Sequence, residues 1–200
     1  MTPEDGLPFS QACENNKTLI LAVLRSAFAD CAKVLEIGSG TGQHACYFAE
    51  YLNHLLWQPT ELAASVPVLQ QRCRLYAGSN LLSPAELDVC AKRWPVTVPD
   101  GVFTANTFHI MPFPAVQACF KALGDLAATP GTLAVYGPFN YNGEFTSESN
   151  ARFHQWLAER DSRSGIRDFE AVNEMAGQAG YALLEDHPMP ANNRLLVWRR

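Results

Sequence analysis

The segment Val34–Ala45, VLEIGSGTGQHA, sets Glu36 two residues ahead of Gly38, Gly40 and Gly42, directly after an apolar run. Glycine lets the backbone take positive φ and lets a ligand approach the main chain without meeting a Cβ. Glu61 follows nineteen residues after Gly42, close to the spacing of about 20 at which a carboxylate receives ribose hydroxyls in nucleotide-binding α/β units. Asp88, further on in LDV, could accept a hydrogen bond from an exocyclic amine. Each residue also has an ordinary alternative: a structural turn for the glycines, a helix N-terminal acid for Glu61, an exposed turn for Asp88. Glu36 is the exception. A charge inside an apolar strand is costly unless paired, so its carboxylate must find donors in loop amides or in a cationic ligand.

The elements that would position these residues alternate. A helix opening at Ser10 or Cys13 carries Leu19, Ile20, Val23, Leu24 and Phe28 at helical spacing and ends near Asp30. CAKVLEIG reads as a strand buried on both faces, and QHACYFAEYL as the helix after the glycine turn. LLWQPTEL is a second strand and ASVPVLQQRCRLY a helix with Pro67 in its first turn. AELDV and GVFTANTFHI are third and fourth strands. PAVQACFKALGDLA is an amphipathic helix opened by Pro114, and GTLAVYGPF is a fifth strand after the Pro130-Gly131 break. A polar, aromatic insert over 139–170 precedes a helix in FEAVNEMAGQAG. YALLEDHPMPANNRLLVWRR closes the chain as two antiparallel strands. This rhythm predicts an α/β sandwich on a mostly parallel sheet, one domain over 1–200 with an N-terminal helix or lid over 1–30.

Composition narrows the function classes. Fifteen Lys+Arg against twenty Asp+Glu give a net charge of -5, and no basic stripe suits nucleic acid. The six cysteines stand singly, with neither a CxxC pair nor a zinc spacing, so reduced thiols and no metal are expected. No segment reads as a signal peptide or a membrane span, which predicts a cytoplasmic protein, monomeric or homodimeric.

The acidic set separates two adenosine cofactors. GxGxxG turns bring a pyrophosphate onto a helix N-terminus; EIGSGTG with its acid upstream suits a cation instead. S-Adenosylmethionine, with sulfonium and ammonium groups and no phosphate, fits a pocket lined by Glu36, Glu61 and Asp88. At these residues the chain resembles the class I S-adenosylmethionine-dependent methyltransferases. More narrowly it is similar to the small methyltransferase-like family known as a domain of unknown function, with bacterial and animal members. The blocks ACENNK, VLEIGSGTGQHA, WQPTEL, LDV, FTANTFHIM, YGPFNYNGEFTSESNARF, RDSRSGIRDFE and MPANNRLLVWRR carry that resemblance across nearly the whole chain. It implies a seven-stranded class I sheet. Glu36 through Gly42, Ser39 included, would surround the methionine portion, with Glu61 at the ribose and Asp88 at the adenine. His44, Val89, Asn106 and Lys17 join the expected cofactor-contacting set. Glu61 departs from the Asp associated with that position, which keeps the charge and lengthens the reach.

Methyl transfer is an in-line displacement, so the protein mainly aligns and deprotonates the nucleophile. ANTFHI nominates Asn106 and His109 as catalytic residues, with His109 a general base or, equally, a buried structural histidine. No [DN]-P-P-[YFW] signature marks the fourth strand, which disfavours exocyclic amines. The 139–170 insert reads as a cap. Tyr136, Asn140, Tyr141, Arg163, Arg167 and Arg194 are the expected acceptor-side residues. Convergent guanidinium forks would imply an anionic acceptor; pairing with Asp161, Asp168 and Glu170 would leave the arginines structural. The reading is O- or S-methylation of a small molecule. A non-catalytic S-adenosylmethionine-binding module and a nicotinamide oxidoreductase are the alternatives.

Overall fold

The structure is a computed structural model that describes residues 6–96, 99–126 and 131–200. The expected helix end at Ala127, the Pro130 break and residues 1–5 lie outside the described residues. The chain divides into two interleaved units, Met1–Asp88 with Trp94–Thr104, and Val89–Arg93 with Ala105–Arg200.

In the first unit, α1 (Gln11–Ala27) starts at Ser10, whose Oγ accepts from the Cys13 amide at 3.4 Å. Its apolar stripe buries Ile20, Leu21 and Leu24. β1 (Lys33–Ile37) is buried along almost its whole length because it runs between β2 (Leu56–Glu61) and β4 (Gly101–Ala105), parallel to both. β3 (Ala85–Glu86) adds to the outer side of β2, again parallel. Helix α2 (Gln43–Tyr51) leaves the glycine turn, and α3 (Val66–Cys73) has proline in its first turn, as predicted. Phe28, Phe48, Trp57 and Phe103 interlock with ring centroids 5.3–6.4 Å apart, in edge-on and tilted pairs. Complete burial of each such phenylalanine contributes about 2 kcal/mol.

In the second unit, α4 (Phe113–Leu126) precedes β5 (Thr132–Asn140), all nine residues of which are buried. β8 (Asn193–Arg199) pairs antiparallel with β5 on one side and with β7 (Ala182–Met189) on the other. A 3-10 turn, Pro190–Asn192, joins β7 to β8, with Ala191 and Asn192 both at φ 57°. Between β5 and β7 lie α5 (Glu148–Arg160), β6 (Arg167–Asp168) and α6 (Phe169–Gln178).

The fold class is the expected Rossmann-like α/β arrangement, mostly parallel with antiparallel C-terminal strands. Its details correct three expectations. The strands number eight among the described residues rather than seven, because the insert supplies β6, which pairs parallel with the end of β5. The third strand shrinks to two residues and stops short of Asp88. The fourth ends at Ala105, not Ile110: Asn106 turns to φ 57°, the Thr107 hydroxyl caps the Ala105 carbonyl at 3.0 Å, and the Ile110 amide closes a turn onto Thr107. His109 therefore sits on a turn after the strand.

Candidate cofactor and acceptor sites

Everything proposed for the cofactor except Val89 and Asn106 falls in the first unit. Glu36, 2% exposed, lies in β1. Its Oε2 accepts from the Ser39 hydroxyl at 2.9 Å and from the Trp57 indole at 3.0 Å. Both protein donors go to that one oxygen; among the described residues none reaches Oε1. Burial raises the Glu36 carboxyl to about 7, against the opposing pull of the Trp57 and Ser39 hydrogen bonds.

Ser39 is the pivot of the turn. Its amide donates to the Thr60 carbonyl at 2.9 Å, and its hydroxyl oxygen accepts from the Thr60 amide at 3.1 Å while donating to Glu36. The Thr60 hydroxyl in turn donates to the Glu36 carbonyl at 2.6 Å. Glu61, last residue of β2, accepts from the Gly40 amide at 3.2 Å and from the Leu62 amide at 2.7 Å. The ends of β1 and β2 are thus tied through the glycine turn itself.

Gly38, Gly40 and Gly42 all have positive φ, at 70°, 53° and 77°. The last two differ in what surrounds them. A Cβ on Gly42 would come within 2.8 Å of the Leu69 side chain, so that glycine serves packing against α3. A Cβ on Gly40 would meet nothing within 4 Å, which leaves open space over the exposed crest of the turn. Arg72 supports the turn from α3: its Nε donates to the Thr41 carbonyl and another nitrogen to the Pro8 carbonyl, each at 2.6 Å.

His44 pairs with the Asn16 side chain at 2.7 Å and stacks on Phe48; burial pushes its imidazole down to about 4. Lys17 is ion-paired to Glu14 and lies 4.8 Å over the Tyr47 ring. Glu14 also receives the Gln43 amide at 2.7 Å, and Gln43 exchanges hydrogen bonds with the Ser10 backbone. Asp88 is exposed, two residues past β3, and Val89 is buried. Sequence reasoning missed Gln43, Trp57, Thr60 and Arg72. The partners described above lie 21 to 64 residues away, and no local pattern announces such pairs.

The residues expected on the acceptor side belong to the second unit. His109 is 6% exposed, lies edge-on to Phe153, and is lowered to about 4 by burial and then by the Arg167 charge. Its carbonyl accepts from the Gly165 amide at 2.8 Å. Arg167 donates to the Phe108, Met111 and Arg163 carbonyls, so it braces the His109 turn. Arg163 forms a two-pronged pair with Asp161 on the surface. Arg194 pairs with Asp186 at 2.7 Å, and Asp186 also accepts from the Tyr141 hydroxyl at 2.9 Å. Each of the three guanidiniums is engaged with its own protein partners. Asn106 is tied by its amide to the Tyr136 carbonyl at 2.8 Å. Asn140, at the end of β5, is buried, and its Oδ1 finds no hydrogen-bond donor among the described residues. No cluster of His, Cys, Asp and Glu suited to a metal ion occurs among the described residues. No helix among them is long and apolar enough to cross a membrane.

Fold and glycine turn together define a protein of the class I methyltransferase fold. Solved structures agree. An O-methyltransferase family protein from Burkholderia thailandensis superposes with a TM-score of 0.81 at 14% identity, over 94% of this chain and 57% of that one. A putative O-methyltransferase from Nostoc punctiforme gives 0.80 at 15% identity, over 94% and 56%. Human N-acetylserotonin methyltransferase, solved in complex with SAM, gives 0.77 at 13% identity, over 95% and 53%. The chain spans little more than half the length of these proteins. It belongs to the family described as "Protein of unknown function (DUF938)", whose model matches residues 7–200.

Proposed function

We propose that this protein binds S-adenosylmethionine at the glycine turn and transfers its methyl group to the oxygen or sulfur of a small-molecule acceptor. One observation carries the reading: a deeply buried carboxylate whose two protein donors both occupy Oε2, leaving Oε1 for a cation. The residues present suit the cofactor. Gly40 offers open backbone, Glu61 a carboxylate at the end of β2 for ribose hydroxyls, and Ser39 holds Glu36 in place. Asp88 and Val89 would take the adenine, with His44, Lys17 and Asn106 as further contacts. When bound, S-adenosylmethionine supplies a methyl group activated by a sulfonium leaving group. Human N-acetylserotonin methyltransferase, crystallised with SAM, and PigF, solved with SAH, support the choice of cofactor.

On the acceptor side, the unpartnered Oδ1 of Asn140 would receive a hydroxyl or N–H of the acceptor, since an orphaned buried amide oxygen costs about 1–3 kcal/mol. Tyr136 and Tyr141 would add contacts, with Arg163, Arg167 and Arg194 the candidate anion-binding groups. His109 is the proposed proton acceptor. An imidazole held near 4 is a weak base, which favours acceptors that ionise readily, such as thiols and phenol-like hydroxyls.

The test is calorimetric titration of wild type and Glu36→Gln with S-adenosylmethionine and its demethylated product. A cation against Oε1 favours ionised Glu36, so wild-type affinity rises with pH through about 7 and levels above it. Gln removes the pH dependence. Absence of binding to either compound overturns the reading.

A further inference from the structure

Thr41, between the open crest at Gly40 and the packed Gly42, is held twice, and each hold runs on to the N-terminal end of α1. Its carbonyl accepts from Arg72 Nε at 2.6 Å, and Nη2 of the same guanidinium donates to the Pro8 carbonyl, also at 2.6 Å. Its hydroxyl donates to Gln43 Oε1 at 3.0 Å, the oxygen that also takes the Ser10 amide at 2.6 Å. Gln43 Nε2 donates in return to the Ser10 carbonyl at 3.3 Å and to Glu14 at 2.7 Å. Thr41, Arg72, Pro8, Ser10 and Gln43 thus close a hydrogen-bonded ring between residues up to 64 apart in sequence. Arg72 and Gln43 are each 3% exposed. The stem of Arg72 lies against Gly42, where a Cβ would come within 3.3 Å of its Cδ. A buried guanidinium tolerates the loss of a partner poorly, because the charged N–H left behind has little access to water. Its planar fork also fixes the angle between the two carbonyls it serves. Release of Pro8 therefore disturbs the hold on Thr41, and release of Thr41 the hold on Pro8.

We propose that Arg72 is a positioning residue for the cofactor, coupling segment 8–14 to the glycine turn so that the two dock and release together. Gln43 is the neutral half of the same coupling. The crest at Gly40 then keeps one arrangement only while the segment ahead of α1 is docked. Coupling of this kind is reciprocal: a ligand that settles on the crest tightens the segment, and a loosened segment weakens the ligand by the same factor. The coupling follows from the ring itself; its consequence for S-adenosylmethionine rests on the methyltransferase reading.

The test uses the full chain, with calorimetric affinity for S-adenosylhomocysteine and hydrogen exchange at single amides. In wild type the saturating compound should slow exchange at Gly40 and at Ser10 together, at least fivefold each. Arg72→Met should lower affinity at least tenfold. In that variant, saturated, the Gly40 amide should still slow while Ser10 slows less than twofold; a side chain that merely stabilised the fold would leave both responses intact. Thr41→Val removes one hydroxyl link and keeps the shape, and it decides should Arg72→Met fail to fold: a threefold weaker affinity and a halved response at Ser10 are expected. A wild-type Ser10 amide indifferent to the bound compound, unchanged affinity in the variants, or a variant Ser10 response as large as that of wild type overturns the proposal. If wild type binds no S-adenosylhomocysteine, the cofactor reading fails and the ligand-free protein decides the coupling. Arg72→Met should then speed exchange at both Ser10 and Gly42, whose amides are bonded to Gln43 and Ser39, and acceleration at one alone or at neither overturns it.

Discussion

The glycine turn of the first unit and the His109 turn of the second both follow a parallel strand, yet they are held in opposite ways. At the glycine turn, side chains within the turn do much of the work: Ser39 reaches Glu36 three residues back, and the turn's own amide at Gly40 meets Glu61. At the His109 turn, the support comes from a distant cation. Arg167, over fifty residues downstream, inserts its guanidinium among the carbonyls of Phe108 and Met111 and also takes that of Arg163. In the first, both protein donors to the buried Glu36 carboxylate fall on one oxygen. The other commits the Arg167 guanidinium to backbone carbonyls; elsewhere in the second unit the buried amide oxygen of Asn140 has no donor among the described residues. A site for a common cofactor can be built from a contiguous motif; a surface that selects an acceptor is assembled from scattered residues.

The comparison is broken most sharply at Gly42. Gly42→Val combines a left-handed φ with a clash against Leu69 and should cost about 3–5 kcal/mol in urea unfolding, whereas Gly40→Ala should cost about 1 kcal/mol. Equal losses would show that the two glycines share one role. Next is Arg167→Ala, which strips three carbonyls of a charged donor; a loss of about 3 kcal/mol by the same measurement is expected, with the His109 turn becoming protease-sensitive.

Glu36→Gln should weaken S-adenosylmethionine binding about tenfold at pH 8, equivalent to about 1.4 kcal/mol. It also carries a stability signature. The native carboxyl is held at about 7 against an ordinary 4.5, so between those values the native state keeps a proton that the unfolded chain has released. That contribution is fully present below about pH 4.5 and lost as the pH rises through 7. The melting temperature of the variant relative to wild type should therefore climb from pH 5 to pH 8; a flat difference would mean Glu36 is ionised throughout. Asn16→Ala, which leaves the buried His44 nitrogen without its partner, should cost about 1–2 kcal/mol in urea unfolding. Smallest of all is Arg163→Ala. Its pairing with Asp161 is solvent-exposed, and no change in melting temperature is expected; a loss of turnover in an acceptor assay would then assign Arg163 to the substrate.

His109 sharpens the contrast differently. A base held near 4 places any acidic limb of the pH–rate profile near that value, and His109→Gln should abolish the limb and lower the rate on the plateau above pH 6. An unchanged profile at every pH would leave His109 with packing alone.

The alternation of short apolar runs with helical stripes determined the α/β class, most element positions and the glycine turn, because periodicity and backbone permissiveness are properties of neighbouring residues. Glu36 stood out for the same reason, as one charge in a local run of apolar side chains. The tertiary structure alone decided which donors satisfy it: the Trp57 indole arrives on the adjacent strand, through a register that no nearby residue encodes. It decided also that the fourth strand stops at Ala105, where a left-handed Asn106 and a bracing Arg167 outweigh the apolar run through Ile110. Long-range hydrogen bonds follow from how strands and helices pack, and sequence spacing carries no record of distances closed by folding.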